Sequence, residues 1–189
     1  MRCTQLRSRG IRHAVNITAL SFLGGLFLVP AHAQTLTITA KGVIQGSCGI
    51  SVQSAFGSAN LDADGSATGS ALVNCNTPYR IRATSTNGAM KAATIAPPQF
   101  SNSLDYNLTV AVPLDVGGQI SATCASPTLA VGQTSCALSP ASSNGLSSGT
   151  GTSTSKTASL TVQWTLPTVT RLVAGNYADV LTITIAPQQ

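Results

Sequence analysis

Residues 177–186 read YADVLTITIA, and their alternation of apolar and polar side chains decides the fold class. Leu181, Ile183 and Ile185 fall on one face of an extended chain, and threonines fall on the other. The same period of two recurs along the chain, at 35–41 (TLTITAK), 47–54, 71–84, 106–112 and 159–166. β-branched residues favour strands, whereas the glutamates that suit exposed helix faces are absent. The pattern predicts an all-β protein of seven or eight short antiparallel strands.

The segments between these strands carry turn and loop signals. Asn76-Thr77-Pro78 predicts a turn inside 71–84. Residues 93–103 contain two consecutive prolines and are expected to form a loop. Residues 139–156 consist almost entirely of Ser, Thr, Gly, Ala and Asn, and predict a flexible excursion within a single domain.

The first 33 residues have the features of a signal peptide. A basic stretch with four arginines precedes an apolar stretch at 14–30, and Ala31-His32-Ala33 gives the small-x-small pattern that precedes cleavage. A transmembrane segment is the alternative, but the apolar stretch is short and interrupted. We therefore expect export from the cytoplasm, with a mature chain of residues 34–189 and no membrane insertion.

Removal of the leader changes the charge of the protein. The whole chain carries +5, but four of its ten basic residues lie in the leader. The remainder has six basic residues against five aspartates, which gives +1. A basic surface for nucleic acid or anionic lipid is therefore not expected.

Cysteine usage fits an oxidising compartment. Cys3 lies in the leader, and the rest of the chain keeps Cys48, Cys75, Cys124 and Cys136. An even number in an exported protein predicts two disulfides, with three possible connectivities. Pairing of nearest neighbours is favoured. A zinc site is the alternative, but no CxxC pair or histidine accompanies the cysteines.

Residue content also limits catalysis. Both histidines lie in the leader, so residues 34–189 contain neither histidine nor glutamate. Histidine-dependent nucleophiles and histidine metal sites are thereby excluded, and no phosphate-binding glycine loop is present. We expect no enzymatic activity, no metal and no cofactor.

Asp62-Ala-Asp64 resembles part of a calcium loop but is better explained as a surface turn. Trp164 and Tyr106 could stack on a sugar, although core packing is the favoured explanation.

The two ends of the chain suggest an unusual arrangement. An alternating segment, residues 34–46, begins at the expected cleavage site and precedes the first mature cysteine. The chain stops soon after the strong strand around Ile185, so no further strand is expected beside it. A sheet edge left open in this way needs a strand from elsewhere.

Several motifs together resemble the spore coat protein U-like domain, which is similar to pilins of the archaic chaperone–usher class. They include TLTITAKGVI leading into GSCGISV, a Phe56-Gly57 turn, ALVNC followed by PYRIRATSTNG, LDYNLTV and the C-terminal AGNYADVLTITIAP. Gly175, Tyr177 and Asp179 occupy the places of a Gly-x-Tyr-x-Asp signature that closes such domains. The resemblance covers most of 34–189. The second cysteine pair and the loop at 139–156 depart from the family pattern.

The resemblance implies a fold and a mode of assembly. Residues 47–189 would form an incomplete immunoglobulin-like sandwich that lacks its last strand, and the family's strand-linking disulfide would join Cys48 to Cys75. A periplasmic chaperone and then the N-terminal segment of another subunit would supply the missing strand, at an outer-membrane usher. The donor residues would be Leu36, Ile38, Ala40, Gly42 and Ile44. The acceptor groove would include Tyr177, Leu181, Ile183 and Ile185.

The expected function is therefore that of a structural pilus subunit that polymerises head to tail for surface adhesion or biofilm formation. The alternative within the same fold is a secreted coat, tip or adaptor protein that binds glycans or surfaces. A self-complete secreted sandwich that binds a small ligand is the third hypothesis.

Overall fold

A computed structural model describes residues 41–139 and 145–188. The predicted signal peptide and the predicted donor residues Leu36, Ile38 and Ala40 lie outside the described residues. The chain from Val43 onward forms one compact unit. No α-helix occurs in the described ranges, and a single 3-10 turn covers Ser126–Leu129. The all-β prediction is confirmed.

The described part of the chain contains thirteen strands, seven of which have seven residues or more. The long strands are β1 (Cys48–Ser54), β2 (Gly65–Cys75), β3 (Tyr79–Ser85), β7 (Tyr106–Pro113), β8 (Gln119–Ala125), β10 (Ser153–Trp164) and β13 (Leu181–Pro187). The short strands are β4 (Met90–Ala92), β5 (Phe100–Ser101), β6 (Ser103–Leu104), β9 (Leu146–Ser147), β11 (Arg171–Leu172) and β12 (Tyr177–Ala178).

Two main antiparallel sheets share one hydrophobic core. The larger sheet has the order β1-β2-β10-β7-β8, and the smaller has the order β13-β3-β9. Burial alternates along β3 and β7, as expected for strands with one face on a core. Ile81 from the smaller sheet and Leu108 from the larger are both fully buried in the same apolar cluster. β4 lies between β12 and β6, and β5 pairs with β11 in parallel.

Both disulfides join nearest neighbours along the chain, as favoured. Cys48–Cys75 links two residues that face each other in the β1–β2 ladder, with Cα atoms 4.2 Å apart. Cys124–Cys136 ties β8 to the loop that follows the 3-10 turn, with Cα atoms 5.9 Å apart. The first bridge therefore fixes the start of β1 to the end of β2.

Three sequence-based boundaries are corrected by the structure. Residues 93–103 are not wholly a loop, because β5 and the start of β6 lie within them. The region 139–156 is not wholly a flexible excursion, since 145–156 includes β9 and the start of β10. Ser148 explains part of this order: its hydroxyl accepts from the Tyr79 amide and donates to the Gly151 carbonyl. The predicted strand at 177–186 is divided into β12 and β13 at Asp179-Val180.

Candidate functional site

The candidate site is the side of the molecule where β1 and β13 lie next to each other without pairing. β1 is an edge strand of the larger sheet, and β13 is an edge strand of the smaller one. β13 pairs with β3 along its whole length, and no strand among the described residues pairs with its other edge. An unpaired edge leaves alternate backbone N–H and C=O groups without a ladder partner.

The inner face of β13 is apolar but incompletely covered. Leu181, Ile183 and Ile185 pack against the core and remain half-buried, whereas the alternate residues of neighbouring β3 are fully buried. On the β1 side, Ile50 is half-buried and Val52 is 75 % exposed. The predicted acceptor residues of β13 thus share one face beside an uncovered strip, which we call the groove.

A cavity of about 870 Å³ opens at one end of the groove. It forms there because β1 pairs with β2 only from Ser70 to Cys75, which leaves the first part of β2 without a strand on that side. Its lining is rich in apolar and aromatic residues, including Phe56, Leu61, Ala67, Trp164, Tyr177 and Leu181. Ile183 and Ile185 are not part of the lining, so the cavity begins at the level of Leu181 and extends toward Tyr177.

Trp164 and Tyr106 stand beside this cavity, but both belong to the core. Trp164 is 4 % exposed, and its indole N–H donates to the Ala63 carbonyl at 3.0 Å. Tyr106 is 3 % exposed, and its hydroxyl donates to Asp179. The expectation of core packing is confirmed, since neither ring presents an open face for stacking on a sugar.

Asp179 lines the cavity and is the centre of a group of hydrogen bonds. Its carboxylate accepts hydrogen bonds from the Tyr106 hydroxyl at 2.6 Å and the Ser85 hydroxyl at 2.5 Å, both to Oδ2, and from the Asn87 amide at 3.1 Å to Oδ1. Burial, and then the hydrogen bond to Asp179, raise the pKa of Tyr106 well above its usual value. We call these three side chains, Asp179, Tyr106 and Ser85, the Asp179 cluster. It joins the start of β13 to β3 and β7.

Tyr177, the other predicted groove residue, lies apart from the β13 ladder. It belongs to β12 and pairs with Ala92 of β4. Its hydroxyl lies 3.0 Å from the Ser101 carbonyl oxygen and 2.9 Å from that of Val173, and donates to them. Gly175 is also tightly placed, because a Cβ there would lie 3.1 Å from the Thr94 hydroxyl oxygen. The three signature residues therefore hold the turn that precedes β13.

The described part of the N-terminal segment is exposed and carries no strand. Gly42 and Ile44, two of the predicted donor residues, are both exposed, and Ile44 is 90 % so. Asn76 holds the chain directly after Ile44. Its side-chain oxygen accepts from the Ser47 amide at 2.7 Å, and its side-chain amide donates to the Gln45 carbonyl at 3.1 Å. The segment is thereby anchored from Gln45 onward.

Asp115 forms a second polar cluster, at the opposite end of the larger sheet. Its carboxylate accepts from the Thr152 hydroxyl at 2.8 Å and from the Thr154 amide at 3.0 Å, and it pairs with Lys156 at 3.4 Å. These hydrogen bonds, led by Thr152, lower the pKa of Asp115 to about 2. The cluster fixes the segment that leads into β10.

Two roles were missed by the sequence patterns. The sequence indicated Asp179 only as part of the C-terminal motif and Asn76 only as part of a turn. Each bonds to groups distant along the chain, and local periodicity gives no signal for these contacts. Asp64 of the suspected calcium turn accepts from the Leu166 amide at 2.7 Å and serves as a turn residue.

Within the described ranges, no group of three or more His, Cys, Asp or Glu side chains is placed to hold a metal ion. No helix there is long and apolar enough to cross a membrane.

Comparison with known proteins gives no relative: no protein-family model, no curated protein and no solved structure matches the chain.

Proposed function

We propose that the protein is a structural subunit of a chaperone–usher type pilus that polymerises by donor-strand exchange. The observation that carries the proposal is the unpaired edge of β13 above a half-covered apolar face. Burying that face in a second chain recovers about 25 cal/mol for each Å² of apolar surface, and the added strand pairs the free backbone groups.

Strand order supports an immunoglobulin-like arrangement for this proposal. Such a sandwich places strands A, B, E and D in one sheet and C, F and G in the other. β1, β2, β10 and β7 are adjacent in the order A-B-E-D, and β3 and β13 pair as C and F. In this assignment strand G belongs on the free edge of β13. The proposed occupant of that place is the N-terminal segment of another copy.

The N-terminal segment has the chemistry that the groove requires. Its predicted inward residues are apolar at a spacing of two, and the residues between them are mostly threonines. A strand of this pattern buries one face and leaves the other in water. Because each copy carries one groove and one such segment, exchange between copies is heterologous and builds an open fibre. The partners proposed are further subunits, a periplasmic chaperone and an outer-membrane usher, and the site of action is the cell surface, in adhesion or biofilm formation. No catalytic role is proposed.

A deletion tests the proposal. A chain lacking residues 34–44 should still be bound by the chaperone but should form no fibres, because the groove is intact and the donor is missing. The matched pair is Ile38→Asn, at an inward position, against Thr39→Asn, at an outward one. We expect only the first to stop assembly. Fibres formed by the deletion variant would refute the donor assignment, and a chain that remains a stable monomer without a chaperone would favour a self-complete sandwich.

A further inference from the structure

We propose that the incoming segment runs antiparallel to β13 with Ala40 opposite Leu181, so that Gly42 passes over the Asp179 cluster and Ile44 enters the cavity. This inference rests on the proposed function and specifies its register, which fixes which end of one subunit meets the cavity of the next. Three features of the acceptor, which follow one another along the groove, favour this register.

The first feature is the run of three apolar positions on β13. Ile185, Ile183 and Leu181 are spaced by two and lie half-buried on one face. Leu36, Ile38 and Ala40 have the same spacing, so an antiparallel strand places them opposite these residues in that order. The next two inward positions of the donor, 42 and 44, then lie beyond the start of β13.

The second feature is the Asp179 cluster, which follows immediately. Oδ2 of Asp179 is already engaged by two hydroxyls, and the cluster occupies the inner side of the chain at this point. An apolar side chain placed here would cover a carboxylate and strip its remaining contact with water, at a cost in free energy. Glycine has no side chain to place there. Gly42 is the only glycine among the five inward positions of the segment.

The third feature is the cavity, which begins at the level of Leu181, continues past Asp179 toward Tyr177, and is lined by Phe56, Leu61 and Trp164 among others. Ile44 is the next inward residue after Gly42, and it supplies an apolar side chain to the part of the cavity near Tyr177. Its side chain is 90 % exposed in the unassembled subunit, so entry into the cavity buries it in assembly alone.

Other alignments fit less well. A parallel strand with the same Ala40–Leu181 pair would place Ile38 on the Asp179 cluster and Gly42 against Ile183. A shift of two residues would put Ile44 on the cluster in one direction, or Gly42 in the cavity in the other. Each places an apolar side chain on a carboxylate or leaves a glycine at the cavity, which it cannot fill.

The register also brings the two subunits close together. Cys48 follows Ile44 by four positions in the chain, a span of at most about 13 Å in extended chain. Asn76 holds Gln45 and Ser47 within that span. The disulfide-linked end of one subunit therefore lies next to the cavity end of the neighbouring one.

Disulfide trapping in assembled fibres tests the register. Thr39 and Thr182 face each other on the solvent side in the proposed alignment, so Thr39→Cys combined with Thr182→Cys should yield a covalent ladder after oxidation. The matched control is Thr39→Cys with Thr184→Cys, which the alignment separates by two residues and which should give no ladder. A ladder from the control pair, or from Lys41→Cys with Thr182→Cys, would overturn the register and leave donor-strand exchange standing. Absence of fibres from the parent chain would overturn both.

A second measurement covers the case in which cysteine variants do not assemble. Ile44 and Val43 are adjacent and both about 90 % exposed in the free subunit, so neither substitution by alanine should alter its stability. Ile44→Ala should speed the release of subunits from fibres in denaturant by about tenfold or more, and Val43→Ala by less than about twofold. Equal effects would overturn the placement of Ile44 in the cavity.

Discussion

Asp179 should contribute to stability through Tyr106, and a double-mutant cycle between the two measures this contribution. The Asp179→Ala change removes the acceptor of two buried or nearly buried hydroxyls, those of Tyr106 and Ser85. Tyr106→Phe removes one donor and keeps the ring in the core. The Asp179 cluster links β3 and β7 to the segment between β12 and β13, so its loss should weaken the start of β13 in particular.

The size of the effect follows from the contacts. A hydrogen bond to a charged group contributes about 1.5–3 kcal/mol, and a buried donor left without a partner costs about 1–3 kcal/mol. We therefore expect Asp179→Ala to lower the free energy of unfolding by about 3 kcal/mol and Tyr106→Phe by about 1.5 kcal/mol. Both single changes remove the same Tyr106–Asp179 hydrogen bond, which the double variant can lose only once. The loss of unfolding free energy in the double variant should therefore be smaller than the sum of the two single losses by about 1.5 kcal/mol.

The assay is urea unfolding with the disulfides intact. Unfolding is monitored by the fluorescence of Trp164, the single tryptophan. Trp164 lines the same cavity as Asp179, so its signal reports on this region. Asp62→Ala combined with Tyr106→Phe is the control cycle, because Asp62 is exposed and makes no side-chain bond to Tyr106. Additivity within about 0.5 kcal/mol for Asp179 and Tyr106 would refute the coupling.

Two further predictions concern packing and pH. Gly65→Ala should lower the free energy of unfolding in urea by about 1–3 kcal/mol, because the added Cβ would lie 2.7 Å from Cζ2 of Trp164. Gly57→Ala is the control: its added Cβ would have no atom within 4 Å, so stability should change by less than about 0.5 kcal/mol. Asp115→Asn should be less stable than the parent at neutral pH. The pKa of Asp115 is lowered in the folded protein from 3.8 to about 2, so the ionised carboxylate stabilises the fold. The difference in stability between the two chains should therefore vanish as the pH falls from 3.8 toward about 2. A difference in unfolding free energy between Asp115→Asn and the parent that stays constant down to pH 2 would contradict this. An equal loss of stability at pH 7 in the control variant Asp62→Asn would contradict it as well.

Strand positions were predictable where one face carries large apolar residues. β13 carries Leu and Ile on its inner face, β7 carries Tyr, Leu and Val, and β3 carries Tyr79 and Ile81, and the structure places strands there. β8, by contrast, has the sequence QISATCA, whose small residues give a weak apolar signal. The first residues of β10, beginning at Ser153, are also polar. Ser153 is nonetheless fully buried, because its hydroxyl bonds to the Tyr79 hydroxyl and the Pro113 carbonyl.

The groove was only half predictable from the sequence. Period-two patterning identified the apolar face of β13, and an even cysteine count indicated two disulfides. The break before Leu181 was not predictable, because it depends on Asp179 turning inward to partners 73 and 94 residues away. The cavity likewise depends on β1 ending short of the start of β2, which is a property of the pairing register. Such long-range contacts leave no local signature.

Hydrogen exchange along β13 tests most directly the claim that this strand accepts a partner from another copy. The protein is measured before and after assembly, and the amides of β13 that point away from β3 are compared with the amides of β3 itself. We expect the outward amides to exchange rapidly in the unassembled protein and to become strongly protected in fibres, while those of β3 are protected in both states. Outward amides already protected before assembly, or unchanged by it, would contradict the account.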